Sequence, residues 1–315
     1  MEDRSAVRQG TEAVVATLAG IVSLFAFVSA FPHAIDAWGY NNHGQAEVPD
    51  GSFVAVATGV YYSLGLRADG SLLAWGENSH GQLDVPKGKD FIAVAAGGYH
   101  GVALLDDGSL IAWGAIADRR TVVPEGNDFV AISAETYHSL ALRSDGTVVA
   151  WGSNSFGQCD VPVGSDFVAV AAGRFHSVAL RADGSIVVWG RGDDGQLAAP
   201  RGRGHIAISA GGDHSLALRA DGSVVAWGSS YRGELDVPED SGFVAISAGT
   251  YHNLALHADG TLVGWGDNVF RLATSPGPGP YVAISAGVHH NLVLFDRFAQ
   301  LRSVESAEGS APLPE

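Results

Sequence analysis

The sequence has 315 residues, a formal net charge of −16, 42 glycines and 12 prolines. Lys and Arg are too few and too scattered to neutralise a phosphate backbone, and the one local basic group (Arg191, Arg201 and Arg203) is small, so the composition argues against a nucleic-acid partner. The single cysteine, Cys159, excludes an intrachain disulfide, and the fold must be held by packing alone.

The first predicted element in chain order is an uncharged, mostly apolar segment from Ala13 to Phe31. It ends in Val28-Ser29-Ala30, a small-x-small pattern typical of signal-peptide cleavage. The segment is longer than the usual signal-peptide core and just long enough to span a bilayer. We interpret residues 1–30 as a cleaved signal peptide or an uncleaved N-terminal membrane anchor, with a buried element of the domain as the alternative. Either favoured interpretation makes the protein secreted or attached to the cell surface, with membrane contact only through this segment.

A repeat of constant length follows. Asp-Gly pairs recur every 38 residues from Asp69 to Asp259, and Trp-Gly pairs recur at intervals of 37 and then 38 residues. The seven pairs account for every tryptophan and begin at Trp38, Trp75, Trp113, Trp151, Trp189, Trp227 and Trp265. Self-similarity at such a period predicts one supersecondary unit copied side by side, with the copies stacked into a shared core.

The unit is clearest between Phe129 and Pro162. Its pattern predicts three strands at Phe129–Ala134, Tyr137–Leu142 and Thr147–Trp151, with a two-residue Asp-Gly hairpin turn between the second and third. A polar loop follows, and then a brief fourth strand ending at Pro162. No window of the repeats has the apolar spacing of an amphipathic helix, so we expect an all-β domain.

The two ends of the array complete each other. Ala34 to Gly39 matches only the third strand of the unit, and Tyr281 to Phe295 matches only the first two. Joining them makes one blade and leaves no open sheet edge, whereas an open solenoid would need polar capping repeats that the sequence lacks. We therefore predict a monomeric seven-bladed β-propeller of four-stranded blades over residues 34–296, closed by its N-terminal strand, with a flexible tail at 297–315.

Aromatic residues recur in the loops of one rim of this propeller. Strand direction places the turn between the first two strands beside the loop that follows Trp-Gly, and these loops carry Tyr61, Tyr99, Tyr137, Phe156, Phe175, Tyr231, Tyr251 and Phe270, together with Tyr40, His43, His80 and Arg232. Aromatic side chains bury a large area at low rotamer cost, which is typical of protein-binding surfaces. The alternative is that these side chains stack between blades as part of the core.

A histidine recurs on the second strand of six repeats, at His100, His138, His176, His214, His252 and His290. Strand parity puts these side chains between blades, where a ring nitrogen would satisfy a loop backbone group. Histidines spread one to a blade do not converge on a metal ion, and we expect neither a metal nor a cofactor. Asp213 and His289 replace aromatic residues in the turns, which leaves open a local polar site. Together with His214 and His290 they would form the site of an enzyme at the channel mouth, the minority interpretation.

The repeated pattern Ala-Gly-x-x-His-Ser-Leu-Ala-Leu, Asp-Gly, Val-x-Ala-Trp-Gly, Asn-x-x-Gly-Gln and Val-Pro resembles the regulator of chromosome condensation repeat. The short unit with Gly-Gln-x-x-Val-Pro is most similar to secreted bacterial propellers that inhibit class A β-lactamases. This resemblance implies a protein-binding propeller, an inhibitor or an adaptor, whose first candidate partners are β-lactamases or penicillin-binding-type enzymes. Eukaryotic members that exchange nucleotide on a small GTPase are a further alternative, but nothing in this sequence resembles their protruding wedge.

Overall fold

The computed structural model describes residues 33–277 and 279–296. The described residues form 21 β-strands, two single-turn 3₁₀ segments at Ala117–Arg119 and Val269–Arg271, and no α-helix. No helix within these ranges has the length and apolar character needed to cross a membrane. The signal peptide or anchor predicted at residues 1–30 and the tail predicted at 297–315 lie outside the described residues.

The strands pair into seven antiparallel sheets of three strands each, one sheet to a blade. In chain order they are β1 (Ala34–Gly39), β2 (Phe53–Thr58), β3 (Tyr62–Arg67), β4 (Leu72–Gly76), β5 (Phe91–Ala96), β6 (His100–Leu105), β7 (Leu110–Gly114), β8 (Phe129–Ala134), β9 (His138–Arg143), β10 (Val148–Gly152), β11 (Phe167–Ala172), β12 (His176–Arg181), β13 (Ile186–Gly190), β14 (His205–Ala210), β15 (His214–Arg219), β16 (Val224–Gly228), β17 (Phe243–Ala248), β18 (His252–His257), β19 (Leu262–Gly266), β20 (Tyr281–Ala286) and β21 (His290–Phe295).

The N-terminal strand closes the propeller, as the sequence predicted. Strand β1 pairs with β21 from Ala34 opposite Phe295 to Gly39 opposite His290, and β21 pairs with β20. The last blade is thus built from both ends of the array, which confirms the seven-bladed all-β architecture.

The predicted number of strands per blade was wrong, because the structure has three instead of four. The segment expected to form a fourth strand folds into consecutive turns, in which Gly81 donates to the Asn78 carbonyl (3.2 Å) and Asp84 donates to the Gly81 carbonyl (3.1 Å). The Asn78 side chain accepts from the Leu83 N–H at 2.8 Å. These bonds satisfy the backbone within the loop, and Pro86 has no N–H to offer a sheet.

Apolar clusters fill the spaces between neighbouring blades. Trp151, for example, packs with Ala93, Leu104 and Phe129, which lie on the preceding blade and on its own. Its indole N–H donates to the carbonyl of Arg120 in the preceding blade at 2.9 Å, and the tryptophans of five other blades make the same bond. The repeated tryptophan therefore joins blades through both burial and a directed hydrogen bond.

The six repeated histidines also join blades. Each is buried, and its Nε2 lies 2.6–2.9 Å from a side-chain oxygen one blade further on, in the pairs His100–Ser139, His138–Ser177, His176–Ser215, His214–Asn253, His252–Asn291 and His290–Ser63. The predicted partner, a loop backbone group, was wrong because strand register puts the Ser or Asn side chain closer. That side chain passes the bond on to the loop instead, since Ser177 donates to the Gln158 carbonyl and Asn253 to that of Glu234.

Candidate protein-binding rim

Backbone hydrogen bonds place two sets of loops on the same rim. In each blade, the residue that follows Trp-Gly donates its N–H to a backbone carbonyl. The acceptor is the residue just before the middle strand of the same sheet. The seven bonds, of 2.8–3.0 Å, are Tyr40–His289, Glu77–Tyr61, Ala115–Tyr99, Ser153–Tyr137, Arg191–Phe175, Ser229–Asp213 and Asp267–Tyr251. We call the surface formed by these turns and loops the aromatic rim.

The Asp-Gly hairpins lie on the opposite rim, which we call the turn rim. There the Gly70 carbonyl accepts from Phe91 at the start of the next blade (3.3 Å). The described chain also begins and ends at this rim, because His33 exchanges two backbone bonds with Phe53 and Asp296 donates to the Pro280 carbonyl. Both ends of the described chain therefore lie on the rim opposite the aromatic rim.

The eight predicted aromatic residues all lie on the aromatic rim, outside the buried clusters between blades. Those in the turns are partly buried: Tyr61, Tyr99, Tyr137, Phe175 and Tyr251. Those in the loops are more exposed, at 45% for Phe156, 78% for Tyr231 and 49% for Phe270. Seven of these rings pack on another ring or on an arginine instead of filling the core, and the Tyr231 hydroxyl donates to Asp194.

The first group of rings joins the last blade to the first. Tyr61 stacks on His289 with ring centroids 5.1 Å apart, and His43 lies 4.9 Å from Tyr61. Tyr40 sits among them, 5.9 Å from Tyr61 and 5.2 Å from Phe270. Phe270 has a backbone φ of 60°, a conformation that bulky residues rarely adopt, and such strain often accompanies function.

A second group combines rings with guanidinium groups. Tyr137 and Phe175 stack with centroids 5.0 Å apart, and Phe156 lies 4.9 Å from Phe175. Arg120 lies over Tyr137 at 5.1 Å and Arg174 over Phe175 at 5.3 Å. Arg120 and Arg174 were missed in the sequence, although Arg120 stands where four other copies have the loop Gln.

A polar sector continues from this group. Arg191 pairs with Asp194 at 3.0 Å and with Asp213 at 3.4 Å, and the Gln196 side chain also approaches Asp213 (3.4 Å). The Tyr231 hydroxyl donates to Asp194 at 3.2 Å. The local polar site suggested by Asp213 and His289 is not assembled, because Asp213 belongs to this sector and His289 to the first group of rings.

The remaining aromatic residues have partners of their own. Arg232 lies 4.6 Å from the centroid of Tyr251 and forms an ion pair with Asp267, and His80 lies 4.7 Å from Tyr99. The rim thus alternates rings with charges of both signs.

The minority interpretation placed a site at the channel mouth. His214 and His290, two of its residues, are buried between blades and bonded to Asn253 and Ser63. Burial lowers the pKa of His290 to about 3 and also lowers that of His214. In the ranges that the structure describes, no three His, Cys, Asp or Glu side chains are grouped to hold a metal ion.

Comparison with known proteins agrees with this fold. A family model for the regulator of chromosome condensation (RCC1) repeat matches residues 53–82, 91–115, 129–158, 167–196, 206–234 and 243–271. No curated protein sequence matches the chain significantly.

Several solved structures are similar in fold. Prp20p of Saccharomyces cerevisiae, studied for its binding to Gsp1p and histones, aligns with a TM-score of 0.76 at 17% identity over 93% of this chain and 98% of its own. Human WBSCR16 aligns with a TM-score of 0.70 at 18% identity over 85% of this chain and 100% of its own. The ectodomain of the Physcomitrella patens receptor kinase CR4 aligns with a TM-score of 0.64 at 23% identity over 74% of this chain and 68% of its own.

Proposed function

Because this chain belongs to the regulator of chromosome condensation (RCC1) repeat family of β-propellers, we propose that it is an exported protein that binds another protein through its aromatic rim. The observation that carries the proposal is the position of the eight predicted aromatic residues, which gather on one rim and stay outside the interblade core. Rings packed against arginines form rigid contact area with polar tips, as protein-binding hot spots require.

The partner we propose is a β-lactamase or a penicillin-binding-type enzyme, and the binding is inhibitory. The support is the sequence resemblance of the short repeat, with its Gly-Gln-x-x-Val-Pro loop, to the secreted propellers that inhibit class A β-lactamases. The rim also suits a globular surface of mixed polarity. Its rings alternate with the ion pairs of Arg191 and Arg232, so both apolar and charged groups of a partner find complements.

Export is part of the proposal and rests on the apolar segment Ala13–Phe31. The described chain enters the propeller at the turn rim, so attachment there to a signal or an anchor is compatible with a free aromatic rim. If Ala30 precedes a cleavage site, mass spectrometry of the exported protein will find Phe31 at its N-terminus. An intact Met1 on membrane-bound protein would instead establish the anchor.

The proposal is tested by titrating the propeller against a purified class A β-lactamase and a penicillin-binding transpeptidase, with binding and hydrolysis of a chromogenic β-lactam measured together. We expect the propeller to bind one of them and slow its reaction. A variant with Tyr99, Tyr137, Phe175 and Tyr251 changed to Ala should lose that binding. An Asp145→Asn variant on the turn rim is the control. Equal binding by the rim variant and the control would refute the aromatic rim as the binding surface.

A further inference from the structure

One acidic side chain breaks the repeat at the channel mouth on the aromatic rim. The residue that follows the inner strand is glycine in six blades, at Gly59, Gly97, Gly173, Gly211, Gly249 and Gly287. In the third blade this position is Glu135. The departure does not belong to the aromatic pattern, and it needs its own explanation.

The glycines are there because a side chain does not fit. A Cβ on Gly97 would lie 2.1 Å from the ring of His100, and a Cβ on Gly173 would lie 2.3 Å from that of His176. The third blade accommodates Glu135 with a looser turn, since its closing bond, from Glu135 N–H to the His138 carbonyl, is 3.2 Å where the other six are 2.8–3.0 Å. Because Glu135 occupies a position where steric clashes favour glycine, its side chain points to a function.

Glu135 lines the cavity around the propeller axis, at the end formed by Thr58, Gly59, Gly97 and Gly287. Its carboxylate accepts a hydrogen bond from the backbone N–H of Thr136. Within the described ranges, it forms no ion pair with a Lys, Arg or His side chain. Burial raises the pKa of Glu135, and the Thr136 bond and the charge of Arg174 act in the opposite direction. The carboxylate is thus partly exposed at the cavity, where the charges of Arg174 and Asp213 both act on it.

We propose that Glu135 binds a cationic side chain, a lysine or an arginine, that the protein partner inserts into the channel mouth. The glycines at the equivalent position of the other six blades add no side chain there, which leaves room for a long narrow side chain beside Glu135. The ring of Tyr137, two residues further along the chain on the aromatic rim, supplies a face for its alkyl stem or its charge. Arg174, whose charge acts on Glu135, lies over Phe175 instead of pairing with the carboxylate. The inference rests on the proposed function, because it names the chemistry that the rim recognises.

The test uses the full chain and small probes, so it does not depend on the partner. Isothermal titration calorimetry with Nα-acetyl-L-arginine amide and Nα-acetyl-L-lysine amide should detect binding, while the neutral Nα-acetyl-L-glutamine amide should not bind. Glu135→Gln should weaken the binding of the cationic amides at least about ten-fold. Glu125→Gln, the same change at an exposed residue outside the aromatic rim, should bind them as the wild type does. Equal affinities of Glu135→Gln and the wild type, or no preference for the cationic amides, would overturn the proposal.

Stability gives a second readout. Glu135→Gly restores the repeat, so we expect it to raise the denaturation midpoint while abolishing binding of the cationic amides. A lower midpoint would mean that Glu135 supports the turn and would overturn the proposal. The two proposals fail separately. Loss of protein binding by rim alanine variants with unchanged amide binding by Glu135→Gln would refute only this inference, whereas amide binding at Glu135 in a chain that binds no protein would refute only the proposed function.

Discussion

The hydroxyl of Tyr62 donates a 2.5 Å hydrogen bond to the carbonyl oxygen of His100, in place of the histidine bond found between the other blades. The position that holds Ser or Asn elsewhere is Gly101 in this blade, and a Cβ there would lie 2.2 Å from the indole of Trp113. The longer side chain of Tyr62 reaches past the missing hydroxyl to the backbone. Tyr62 and Gly101 are therefore a matched pair of departures at one interface.

A double-mutant cycle tests this match. Tyr62→His removes the bond to the His100 carbonyl without providing a partner hydroxyl, and Gly101→Ser forces Trp113 to move, so each change should destabilise the fold by about 1–3 kcal/mol. The double variant recreates the His–Ser pair of the other blades, and its loss should be smaller than the sum by at least about 1 kcal/mol. Urea denaturation measures all three variants. Additive losses would show that the two positions are independent.

Acid should unfold the propeller through its buried histidines. Burial lowers the pKa of His100, His138 and His176 to about 3, so these side chains stay neutral in the folded state and become protonated below about pH 6.5 when unfolded. The stability is therefore fully present above pH 6.5 and falls with acidification, by about 1.4 kcal/mol per pH unit for each histidine, until the pH reaches the folded pKa.

Denaturation midpoints measured between pH 7.5 and pH 4.5 check this expectation. His138→Asn should reduce the slope by one histidine's share, while His80→Asn, at an exposed position on the rim, should leave stability at pH 7.5 unchanged. A midpoint that does not vary with pH would contradict the account of the histidines.

Because β1 closes the propeller, two N-terminal truncations should differ in folding stability. Deleting residues 1–33 leaves Ala34–Gly39 in place and should give a folded monomer. Deleting residues 1–40 removes β1 with Trp38 and exposes the edge of β21, so stability should fall by more than about 3 kcal/mol. Thermal unfolding of the two proteins decides the matter, and equal melting temperatures would contradict closure by β1.

The sequence predicted the seven-bladed architecture because the same strand and turn pattern recurs seven times. Trp-Gly and Asp-Gly fixed the strands and turns, and the incomplete end copies indicated the closure. The count of strands failed because Val-Pro after the loop looks like a short strand, whereas the loop satisfies its own backbone through Asn78. The sequence pattern alone does not distinguish a strand from a turn whose backbone groups are already hydrogen-bonded within the loop.

The sequence predicted which residues lie on the aromatic rim, but it did not predict which of their side chains are in contact. Every aromatic residue occupies a position fixed by the repeat, so its rim followed from strand direction. Which rings stack depends on side chains from different blades, as in the packing of Arg120 on Tyr137. A pattern shared by the repeats does not predict Glu135 and Arg174, because both residues depart from it.

Affinity and folding stability, measured together for Tyr99→Ala, Tyr137→Ala, Phe175→Ala and Tyr251→Ala, distinguish a protein-binding rim from interblade core. If the rim binds a protein, each variant should lose about 1–3 kcal/mol of binding to the partner while its denaturation midpoint changes little. Losses of about 3–5 kcal/mol in folding stability, with unchanged affinity of the folded fraction, would contradict binding by the rim.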